Sequence, residues 1–342
     1  MDPVLAAHAA MRARVEAPPF AASLGAFVDE CAALHGPKTV WRFIDAPVDL
    51  PFREISYDQL ADLTRRIATG LARAGVKKGE RVGVMLPNIP AFPLTWLAIA
   101  RLGAIMIPVN TGYTVRELDY VLGDGGAAHL VVHQDCLGTV QDLLAQKPVL
   151  DRASIHVVGA PAAGMRDWAA LAATQPAPLP DGPALDDLVN LQYTSGTTGF
   201  PKGCMLSHRY WLTLGRNAAW RGGDDIRVVL AAQPFYYMDP QWLLLMAMHL
   251  GGRLVVAPRP SSSRFMDWVR AEGVEYCIFP QILLKQPERP EDRQTKLKRV
   301  SVFGLRGEVH AALEKRYGCV ARESFGMTEI GSGLTTPPEA VE

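Results

Sequence analysis

The sequence predicts an α/β fold built on a parallel sheet, and three observations predict it. Short apolar segments alternate with amphipathic, helix-like segments between residues 56 and 133, and the links between them are short. A second series of apolar, strand-like segments begins at residue 188. Finally, 49% of the 342 residues are hydrophobic, so the chain can bury a large core, and its length suggests two or three domains or subdomains.

The elements of the first half are marked by their starts and stops. Ser56 with Gln59, and Thr114 with Glu117, have the spacing of capping boxes, so each pair predicts the start of a helix. Pro90 suits the first turn of a helix between those two. The predicted helix stops are Gly75, Gly103 and Gly123, and the predicted strands are residues 81–86, 104–109 and 129–133. Strands and helices in this alternation indicate a parallel sheet.

A stretch rich in Pro, Ala and Gly, residues 159–184, separates the two halves and predicts a linker or a surface crossing. We therefore expect a first α/β subdomain with an N-terminal extension at residues 1–185 and a second subdomain at residues 186–342. The second is predicted to contain strands at 188–193, 228–235, 253–258, 274–279 and 299–304, a helix at 264–273, and a solvated loop with a short helix in the charged segment 285–299.

Charge and cysteine content exclude several classes of function. Lys plus Arg number 35, as do Asp plus Glu, so the net charge of +0 lacks the basic excess of a general nucleic-acid binder. Five scattered cysteines without CxxC spacing indicate reduced thiols in a cytoplasmic protein, not a disulfide framework or a zinc site. The N-terminus shows no secretion signal, and apolar runs stay below the ~18 residues of a membrane-spanning helix. We therefore expect a small-molecule partner rather than nucleic acid or a membrane.

The segment YTSGTTGFPKG, residues 193–203, combines three glycines with several hydroxyl side chains and Lys202 but has no acidic group. Glycine-rich backbone after a strand can direct its N–H groups into one concavity, and hydroxyls and a lysine add donors, so the segment predicts a polyphosphate cradle. A polar surface loop is the alternative interpretation. The segment is not a Walker A loop, because Phe200 and Pro201 separate Gly199 from Lys202.

Three segments together resemble one family. YTSGTTGFPKGCMLSH (193–208) is similar to the phosphate-loop signature of the adenylate-forming enzymes, which include acyl-CoA and aryl-CoA synthetases, peptide-synthetase adenylation domains and beetle luciferases. ESFGMTEIG (323–331) resembles the family's YGMTE-type motif, with Phe325 in place of the commoner Tyr, and residues 75–124 resemble the family's first subdomain. The resemblance implies stacked, mainly parallel sheets flanked by helices, as in the large N-terminal domain of these enzymes, with the C-terminal lid domain absent.

The resemblance also implies a two-step reaction, in which a carboxylate attacks the α-phosphate of ATP and coenzyme A then displaces AMP from the acyl-adenylate. Lys202 would contact the phosphates, Thr328 would donate a hydrogen bond to the α-phosphate, and Glu329 would bind Mg²⁺. A helix start is the alternative interpretation of Thr328 and Glu329. The nucleotide-binding set that the resemblance implies consists of Lys202 and Thr328 with Thr194, Ser195, Gly196, Thr197, Thr198, Gly199, Gly304, Phe325, Gly326 and Met327. Gly304 is equally well explained as a turn glycine.

Residues 233–242, QPFYYMDPQW, bear on the identity of the acyl substrate. They lie where acyl-CoA ligases often carry a Pro-x-x-His run, and Tyr237 occupies the His position. Asp239 lies two positions later than the Asp with which peptide-synthetase adenylation domains bind an α-amino group, and the following Pro240 favours a turn. We therefore favour a non-amino carboxylic acid with a sizeable apolar acyl group, and contact of Asp239 with a cationic, carnitine-like acid is a further hypothesis. The expected substrate-binding wall is Tyr236, Tyr237, Met238 and Trp242, with Met246 beyond it, and core packing is the alternative for its aromatic members.

The chain ends at Glu342, shortly after the second motif. The family carries a ribose-binding Asp, a hinge and a lid lysine further along, so we expect this chain to be weak or inactive alone. Two other functions stay open, an amino-acid adenylation domain and a non-catalytic nucleotide- or acyl-binding module. A homodimer is kept open as the alternative to a monomer.

Overall fold

The computed structural model describes residues 3–17, 20–179, 182–194, 201–304 and 306–335. The α-helices formed by these residues are α1 (Pro3–Glu16), α2 (Leu24–His35), α3 (Tyr57–Arg73), α4 (Ala91–Leu102), α5 (Val115–Asp124), α6 (Leu137–Gln146), α7 (Ala169–Ala172), α8 (His208–Gly222), α9 (Met238–His249), α10 (Phe265–Glu272) and α11 (Gly307–Tyr317). The strands are β1 (Thr39–Phe43), β2 (Glu54–Ser56), β3 (Arg81–Met85), β4 (Ile105–Pro108), β5 (Ala127–His133), β6 (Ile155–Val158), β7 (Arg166–Asp167), β8 (Leu188–Thr194), β9 (Lys202–Ser207), β10 (Val228–Ala231), β11 (Arg253–Val256), β12 (Tyr276–Ile278), β13 (Arg299–Phe303), β14 (Val320–Met327) and β15 (Gly331–Thr335).

The strands form two sheets. An eight-stranded sheet has the order β15-β14-β13-β12-β10-β11-β1-β2, and a seven-stranded sheet has the order β7-β6-β5-β3-β4-β8-β9. Strand pairing is parallel throughout except at β1·β2, β14·β15 and β8·β9, which are antiparallel. The α/β class with mainly parallel sheets, predicted from the sequence, is confirmed.

Helices cover both faces of each sheet, because the strands bury apolar side chains on both sides. Along β11, Leu254 and Val256 face one core cluster while Val255 faces another, as the two-residue period of a strand requires. The first of these clusters joins both sheets through α2, α3, α4, α8 and α9, which therefore form the central layer. Helices α10 and α11 cover the outer face of the eight-stranded sheet, and α5 and α6 cover that of the seven-stranded sheet.

The predicted first residues of the helices are confirmed more fully than their predicted last residues. Ser56 and Thr114 each form a complete capping box at the N-terminus of α3 and α5. Gly103 ends α4 in the left-handed conformation, with φ 75°. The predicted stop at Gly123 is wrong, because α5 continues to Asp124 and is capped by Gly125.

Each of the two sheets contains strands from both sides of residue 186. Strands β8 and β9, beyond the predicted boundary, complete the seven-stranded sheet, whereas β1 and β2, near the N-terminus, extend the eight-stranded one. Two chain crossings thus tie the sheets to each other. The division into subdomains 1–185 and 186–342 stays a prediction.

The charged segment 285–299 is less solvated than its composition predicts. Asp292 is 4% exposed, and its Oδ2 accepts a hydrogen bond from Nε of Arg316 at 2.7 Å. Two further donors of the same guanidinium bind the carbonyls of Gln286 and Pro287. Arg316 of α11 thereby holds this segment against the rest of the fold. Because Arg316 and Asp292 lie 24 residues apart, no local sequence pattern indicates that they pair.

His156 and His208 are both buried in the neutral form. Burial lowers the pKa of His156 to about 4, and the charges of Arg166 and His129 act in the same direction. Burial also lowers the pKa of His208 to about 4, against the opposing effect of Asp187. Nδ1 of His208 accepts a hydrogen bond from the backbone N–H of Leu24 at 3.0 Å, which a neutral ring can do and a protonated ring cannot.

These histidines predict that the free energy of unfolding falls as the pH is lowered from about 6.5 towards 4. The unfolded chain binds protons at the ordinary pKa of 6.5, whereas the folded chain resists them down to about 4. Stability is therefore fully present above 6.5 and is lost below it, by on the order of 1–3 kcal/mol for each fully buried histidine. Urea unfolding at pH 7, 6 and 5 measures the slope of the unfolding free energy against pH.

The substitution His156→Gln should reduce that slope, and His133→Gln, at the end of β5, is the matched control for loss of a histidine. An unfolding free energy that stays constant between pH 7 and 5 would contradict the argument.

Candidate functional site

A cavity of about 390 Å³ lies where elements of both sheets approach each other. Its walls come from β8 of the seven-stranded sheet, from β13, β14 and β15 of the eight-stranded sheet, and from α8 and α9 of the central layer. Its volume lies within the range of small-molecule sites. Both sequence motifs and the predicted acyl wall contribute residues to it, so it is the candidate site.

The strands β8 and β9 flank the predicted phosphate loop and form its stem, and β8 contributes to one wall of this cavity. Thr194, the last residue of β8, lines the cavity and pairs in register with Lys202, the first residue of β9. Lys202 is exposed at this end of the hairpin. The loop residues Ser195, Gly196, Thr197, Thr198 and Gly199 lie outside the described residues.

The second motif meets the stem through Cys204 of β9. Burial raises the pKa of the Cys204 thiol, and the nearby carboxylate of Glu329 raises it further, while a hydrogen bond with Thr194 opposes the shift. The thiol thus lies between the end of β8 and the turn that follows β14. The two motifs, more than a hundred residues apart in the sequence, are neighbours in the fold.

Tyr210 holds the turn that carries Thr328. The hydroxyl of Tyr210, in the first turn of α8, donates a hydrogen bond to the carbonyl of Thr328 at 2.8 Å. Ser207 positions that turn of α8 as its N-cap, since its Oγ accepts from the N–H of Tyr210 at 3.2 Å. Thr328 lies in a turn after β14, not in a helix, so the helix-start interpretation of this motif is wrong.

The glycine of the FGMTE motif is required by a close backbone approach. A Cβ on Gly326 would lie 2.7 Å from the carbonyl oxygen of Gly331, at the point where the pairing of β14 and β15 shifts register. Phe325, Gly326, Met327 and Thr328 all line the cavity, whereas the exposed Glu329 does not line it.

Gly304 follows β13 at the turn and has φ 68°, a left-handed conformation that favours glycine. The turn interpretation of Gly304 therefore has a structural basis. Phe303, the preceding residue and the last of β13, lines the cavity. The amide of Gln281 donates to the carbonyls of both residues, at 2.8 Å to Phe303 and 3.2 Å to Gly304, and so fixes this corner.

Three of the four residues expected in the acyl wall line the cavity, namely Tyr237, Met238 and Trp242. Tyr236 does not line it; its ring lies 4.8 Å from that of Tyr237, and its carbonyl faces β8. Met246, expected beyond the wall, is fully buried in the central core.

The backbone before α9 is held by buried amide side chains. Gln241 donates to the carbonyls of Phe235 and Tyr237, at 2.9 and 3.1 Å, and Gln192 of β8 donates to that of Tyr236 at 2.8 Å. Asn88, after β3, accepts from the N–H of Phe235 at 2.8 Å. The carbonyl groups of residues 235, 236 and 237 are therefore each held by a side-chain amide. These hydrogen bonds fix the backbone where the acyl wall begins.

Asp239 does not form a turn of its own, contrary to expectation. It lies in the first turn of α9, where a carboxylate is favoured by the helix dipole, and Pro240 follows it inside the same turn. The carboxylate lines the cavity, and its Oδ1 accepts a hydrogen bond from the indole N–H of Trp242 at 3.1 Å. Burial raises the pKa of Asp239, and that hydrogen bond opposes the shift.

Sequence reasoning missed other residues of the cavity. Arg221, near the end of α8, lines it and donates to Oγ of Ser332. Ser301 and Ser324, on neighbouring parallel strands, line it as well. No motif marks these positions, because each is an ordinary strand or helix residue until the sheets come together.

The comparisons with known proteins match this fold and these motifs. Against a luciferase-like enzyme of the nonluminescent mealworm Zophobas morio the TM-score is 0.81 at 20% identity, covering 95% of this chain and 77% of that chain. Against a long-chain-fatty-acid-CoA ligase of Archaeoglobus fulgidus it is 0.80 at 21% identity, covering 94% and 67%. The fold is therefore that of the N-terminal domain of adenylate-forming enzymes.

Residues 31–342 match the AMP-binding enzyme family, and the chain belongs to that family. The crotonobetaine/carnitine–CoA ligase of Salmonella paratyphi C is 30% identical over 329 residues, covering 90% of this chain. The chain spans 61% of the length of that curated relative. In the part of the chain that the structure describes, no helix is long and apolar enough to cross a membrane.

The position of Asn88 predicts a large loss of stability for Asn88→Ala. Asn88 is 7% exposed, donates to the carbonyls of Gln233 and Ala257 at 2.9 and 2.8 Å, and accepts from Phe235. Truncation leaves three backbone groups without that partner, so we expect the free energy of unfolding to fall by about 2–4 kcal/mol. Urea unfolding measures the change.

Asn110→Ala is the matched control, because among the described residues Asn110 accepts one hydrogen bond, an exposed one from the N–H of Gly112, and we expect its loss to cost less than about 1 kcal/mol. Equal losses for the two variants would show that the buried hydrogen bonds of Asn88 stabilise the fold no more than the exposed one of Asn110.

Tyr210→Phe should loosen the turn that carries Thr328 without unfolding the chain. One hydrogen bond contributes about 0.5–1.5 kcal/mol, so amide hydrogen exchange in the segment 325–331 should become up to roughly tenfold faster. Exchange followed by mass spectrometry reads this segment directly.

Tyr317→Phe removes a hydroxyl that donates to the carbonyl of Leu283 in the outer core of the eight-stranded sheet, not to the turn, and is the control. Unchanged exchange in the segment 325–331 of Tyr210→Phe would rule out the positioning role.

Proposed function

We propose that the chain binds ATP and a carboxylic acid in the cavity described above and joins them, as the large domain of an AMP-forming acid–thiol ligase. The observation that carries the proposal is the convergence of both motifs and the aromatic segment on one cavity. Membership of the AMP-binding enzyme family supports it. Coenzyme A would accept the acyl group in the complete reaction, and that step belongs to the whole protein.

The chain's own residues suit the handling of phosphate groups. Lys202 offers an exposed ammonium at the end of the β8–β9 hairpin, and Thr194 offers a hydroxyl beside it. Thr328 also lines the cavity, in a turn that Tyr210 holds. These donors would stabilise the charge that develops when a carboxylate attacks the α-phosphate and pyrophosphate leaves.

Glu329 fits a magnesium ion that is shared with a nucleotide. Among the described residues no group of three or more His, Cys, Asp or Glu side chains that could hold a metal ion occurs, and Glu329 is the carboxylate that the FGMTE motif would contribute. Mg²⁺ commonly binds through one or two carboxylates together with phosphate oxygens and water, and it would supply charge neutralisation on those oxygens. The exposed carboxylate of Glu329, beside the stem at Cys204, suits that arrangement.

The acyl group would lie against Tyr237, Met238 and Trp242, which line the cavity. A crotonobetaine/carnitine–CoA ligase is among the relatives that match this chain, so carnitine-like acids join fatty and aryl acids as candidate substrates. Gln192 and Gln241 orient the backbone of this wall, so its shape is fixed before a substrate arrives.

ATP–pyrophosphate exchange tests the proposal across fatty, aryl, carnitine-like and α-amino acids, with the 342-residue chain and the complete product of its gene. From the complete product we expect exchange that depends on both acid and Mg²⁺. Lys202→Met, Thr328→Val and Glu329→Gln should each lower it by roughly 10²–10³, because each removes a contact to the charged transition state.

Lys315→Met, at the end of α11, is the matched control for loss of a lysine and should leave exchange unchanged. ATP binding without exchange by either form would instead favour a non-catalytic nucleotide-binding module. Exchange with α-amino acids alone would favour an amino-acid adenylation domain.

A further inference from the structure

Helix α5 contacts the chain just before β9 begins. The hydroxyl of Tyr120 donates a hydrogen bond to the carbonyl of Pro201 at 3.0 Å, and Pro201 directly precedes Lys202. Proline has no N–H, so its carbonyl is the only backbone group through which it can form a hydrogen bond. Among the described strands β9 pairs with β8 alone, because it is the last strand of its sheet. The hydrogen bond from Tyr120 is therefore a second attachment for the end of β9 that carries Lys202.

The same helix contacts the chain where β8 ends. The carboxylate of Asp124, one turn after Tyr120, accepts a hydrogen bond from the hydroxyl of Tyr193, which directly precedes Thr194. Residues four positions apart lie on the same face of a helix. Burial raises the pKa of Tyr193, and the hydrogen bond to Asp124 raises it further, so the hydroxyl stays protonated and can donate. One face of α5 therefore holds both strands of the hairpin.

The ring of Tyr193 packs closely between β9 and α5. Tyr193 pairs in register with Gly203, and a Cβ on Gly203 would lie 3.2 Å from Cζ of Tyr193. On the other side, a Cβ on Gly125 would lie 3.3 Å from the hydroxyl oxygen of Tyr193. The rings of Tyr193 and Tyr120 meet edge to face, with their centroids 6.4 Å apart. Because the ring has little freedom, the hydrogen bond to Asp124 restrains the backbone of β8 as well as the hydroxyl.

Helix α5 is itself fixed to the seven-stranded sheet. The capping box at Thr114 holds its first turn, and Nε of Arg81, in β3, donates to the carbonyl of Gly125 at 3.1 Å at its end. Its fully or almost fully buried side chains, which pack in the outer core of that sheet, are Leu118, Val121 and Leu122. The helix can therefore act as a rigid support for the hairpin.

The position of Asp124 is unfavourable for the helix alone. Asp124 is the last residue of α5, where the negative end of the helix dipole disfavours a carboxylate. A hydrogen bond to a charged acceptor is stronger than one between neutral groups. The contact with Tyr193 thus offsets a local cost, which explains a carboxylate at this position.

From these contacts we infer that Tyr120 and Asp124 are positioning residues for the phosphate-binding end of the site. Tyr120 acts through the residue before Lys202, and Asp124 acts through the residue before Thr194. Both lie outside the lining of the cavity, so they act without touching a ligand there. The inference rests on the proposed function, in which Lys202 and Thr194 contact the phosphate groups of ATP.

The experiment measures ATP–pyrophosphate exchange by the complete gene product while ATP, pyrophosphate and the best acid of the panel are each varied. Tyr120→Phe removes one hydroxyl and keeps the ring. We expect the KM values for ATP and pyrophosphate to rise roughly threefold to tenfold, which is the effect of losing about one hydrogen bond. The KM for the acid should stay unchanged, because Gln192 and Gln241 hold the acyl wall independently of α5.

Asp124→Ala should give the same pattern, and Asp124→Asn, which keeps an acceptor oxygen, should retain most of the affinity for ATP. Asp124→Ala and Tyr193→Phe remove opposite sides of one hydrogen bond, so the double variant should be no worse than the more affected single variant. Asp119→Asn is the matched control, because Asp119 lies in the same helix but pairs with Lys147 at 3.0 Å. It should leave all three KM values unchanged.

A general loosening of the fold gives a different result from a loss of positioning. If the KM for the acid rises as much as the KM for ATP, the inference is wrong. It is also wrong if Tyr120→Phe and Asp124→Ala leave the KM for ATP unchanged, or if Asp119→Asn raises it equally.

Failure of the inference and failure of the proposed function can be told apart. Amide hydrogen exchange of residues 202–207 in the 342-residue chain reports on β9 without any catalysis. In Tyr120→Phe this hydrogen exchange should become up to roughly tenfold faster, whereas Tyr317→Phe should leave it unchanged. If no acid supports pyrophosphate exchange, the proposed function fails. Faster hydrogen exchange in Tyr120→Phe would then still support the attachment of β9 to α5, and unchanged hydrogen exchange would overturn it.

Discussion

The structure depends on a buried network of amide side chains that joins the two sheets where the cavity forms. Asn190, in β8, accepts from the indole of Trp96 at 2.9 Å and donates to Gln241 at 3.0 Å. Gln241 in turn holds backbone carbonyls ahead of α9. Because Asn190 and Gln241 are both fully buried, none of these polar groups could be left without a partner at low cost. The network therefore sets the position of α9 relative to β8.

That constraint relates the phosphate end of the cavity to its acyl end. β8 leads directly into the phosphate loop through Thr194, and α9 presents Trp242 and Asp239 to the cavity. A displacement of α9 would break the hydrogen bond of Gln241 to Asn190 and its bonds to the backbone before α9. The acyl wall therefore cannot move freely relative to β8. Distances between the two ends are thereby fixed by the core, which is what a site that aligns two reacting groups requires.

Much of the fold and part of the site could be predicted from the sequence. Capping boxes at Ser56 and Thr114 depend on neighbouring residues alone, and local patterns therefore located those helices. The pairing of β8 with β4 and of β1 with β11 depends on contacts far apart in the sequence, and no local pattern placed those strands in opposite sheets.

The same distinction separates the site residues. The glycine-rich loop and the FGMTE motif are contiguous, and they were recognised as segments. Arg221 and Ser301 become part of the cavity only through the packing of α8 against the eight-stranded sheet, so they carry no signal in the sequence. Asp239 is an intermediate case: its residue type was noticed, but its role depended on whether Pro240 opened a turn or continued into α9.

The location of the cavity follows from the parallel strands. Residues that lie just beyond the carboxyl ends of parallel strands meet at one edge of a sheet, which is where α/β proteins place their ligands. Thr194 ends β8, Phe303 ends β13, Thr328 follows β14, and the segment before α9 follows β10. Because these strands belong to both sheets, the carboxyl edges of the two sheets have to face each other across α8 and α9. A single sheet could present either the loop that follows β8 or the turn that follows β14. Two sheets joined by a buried polar layer present both to the same ligand, so this fold can bring a phosphate-binding stem and an acyl-binding wall into one cavity.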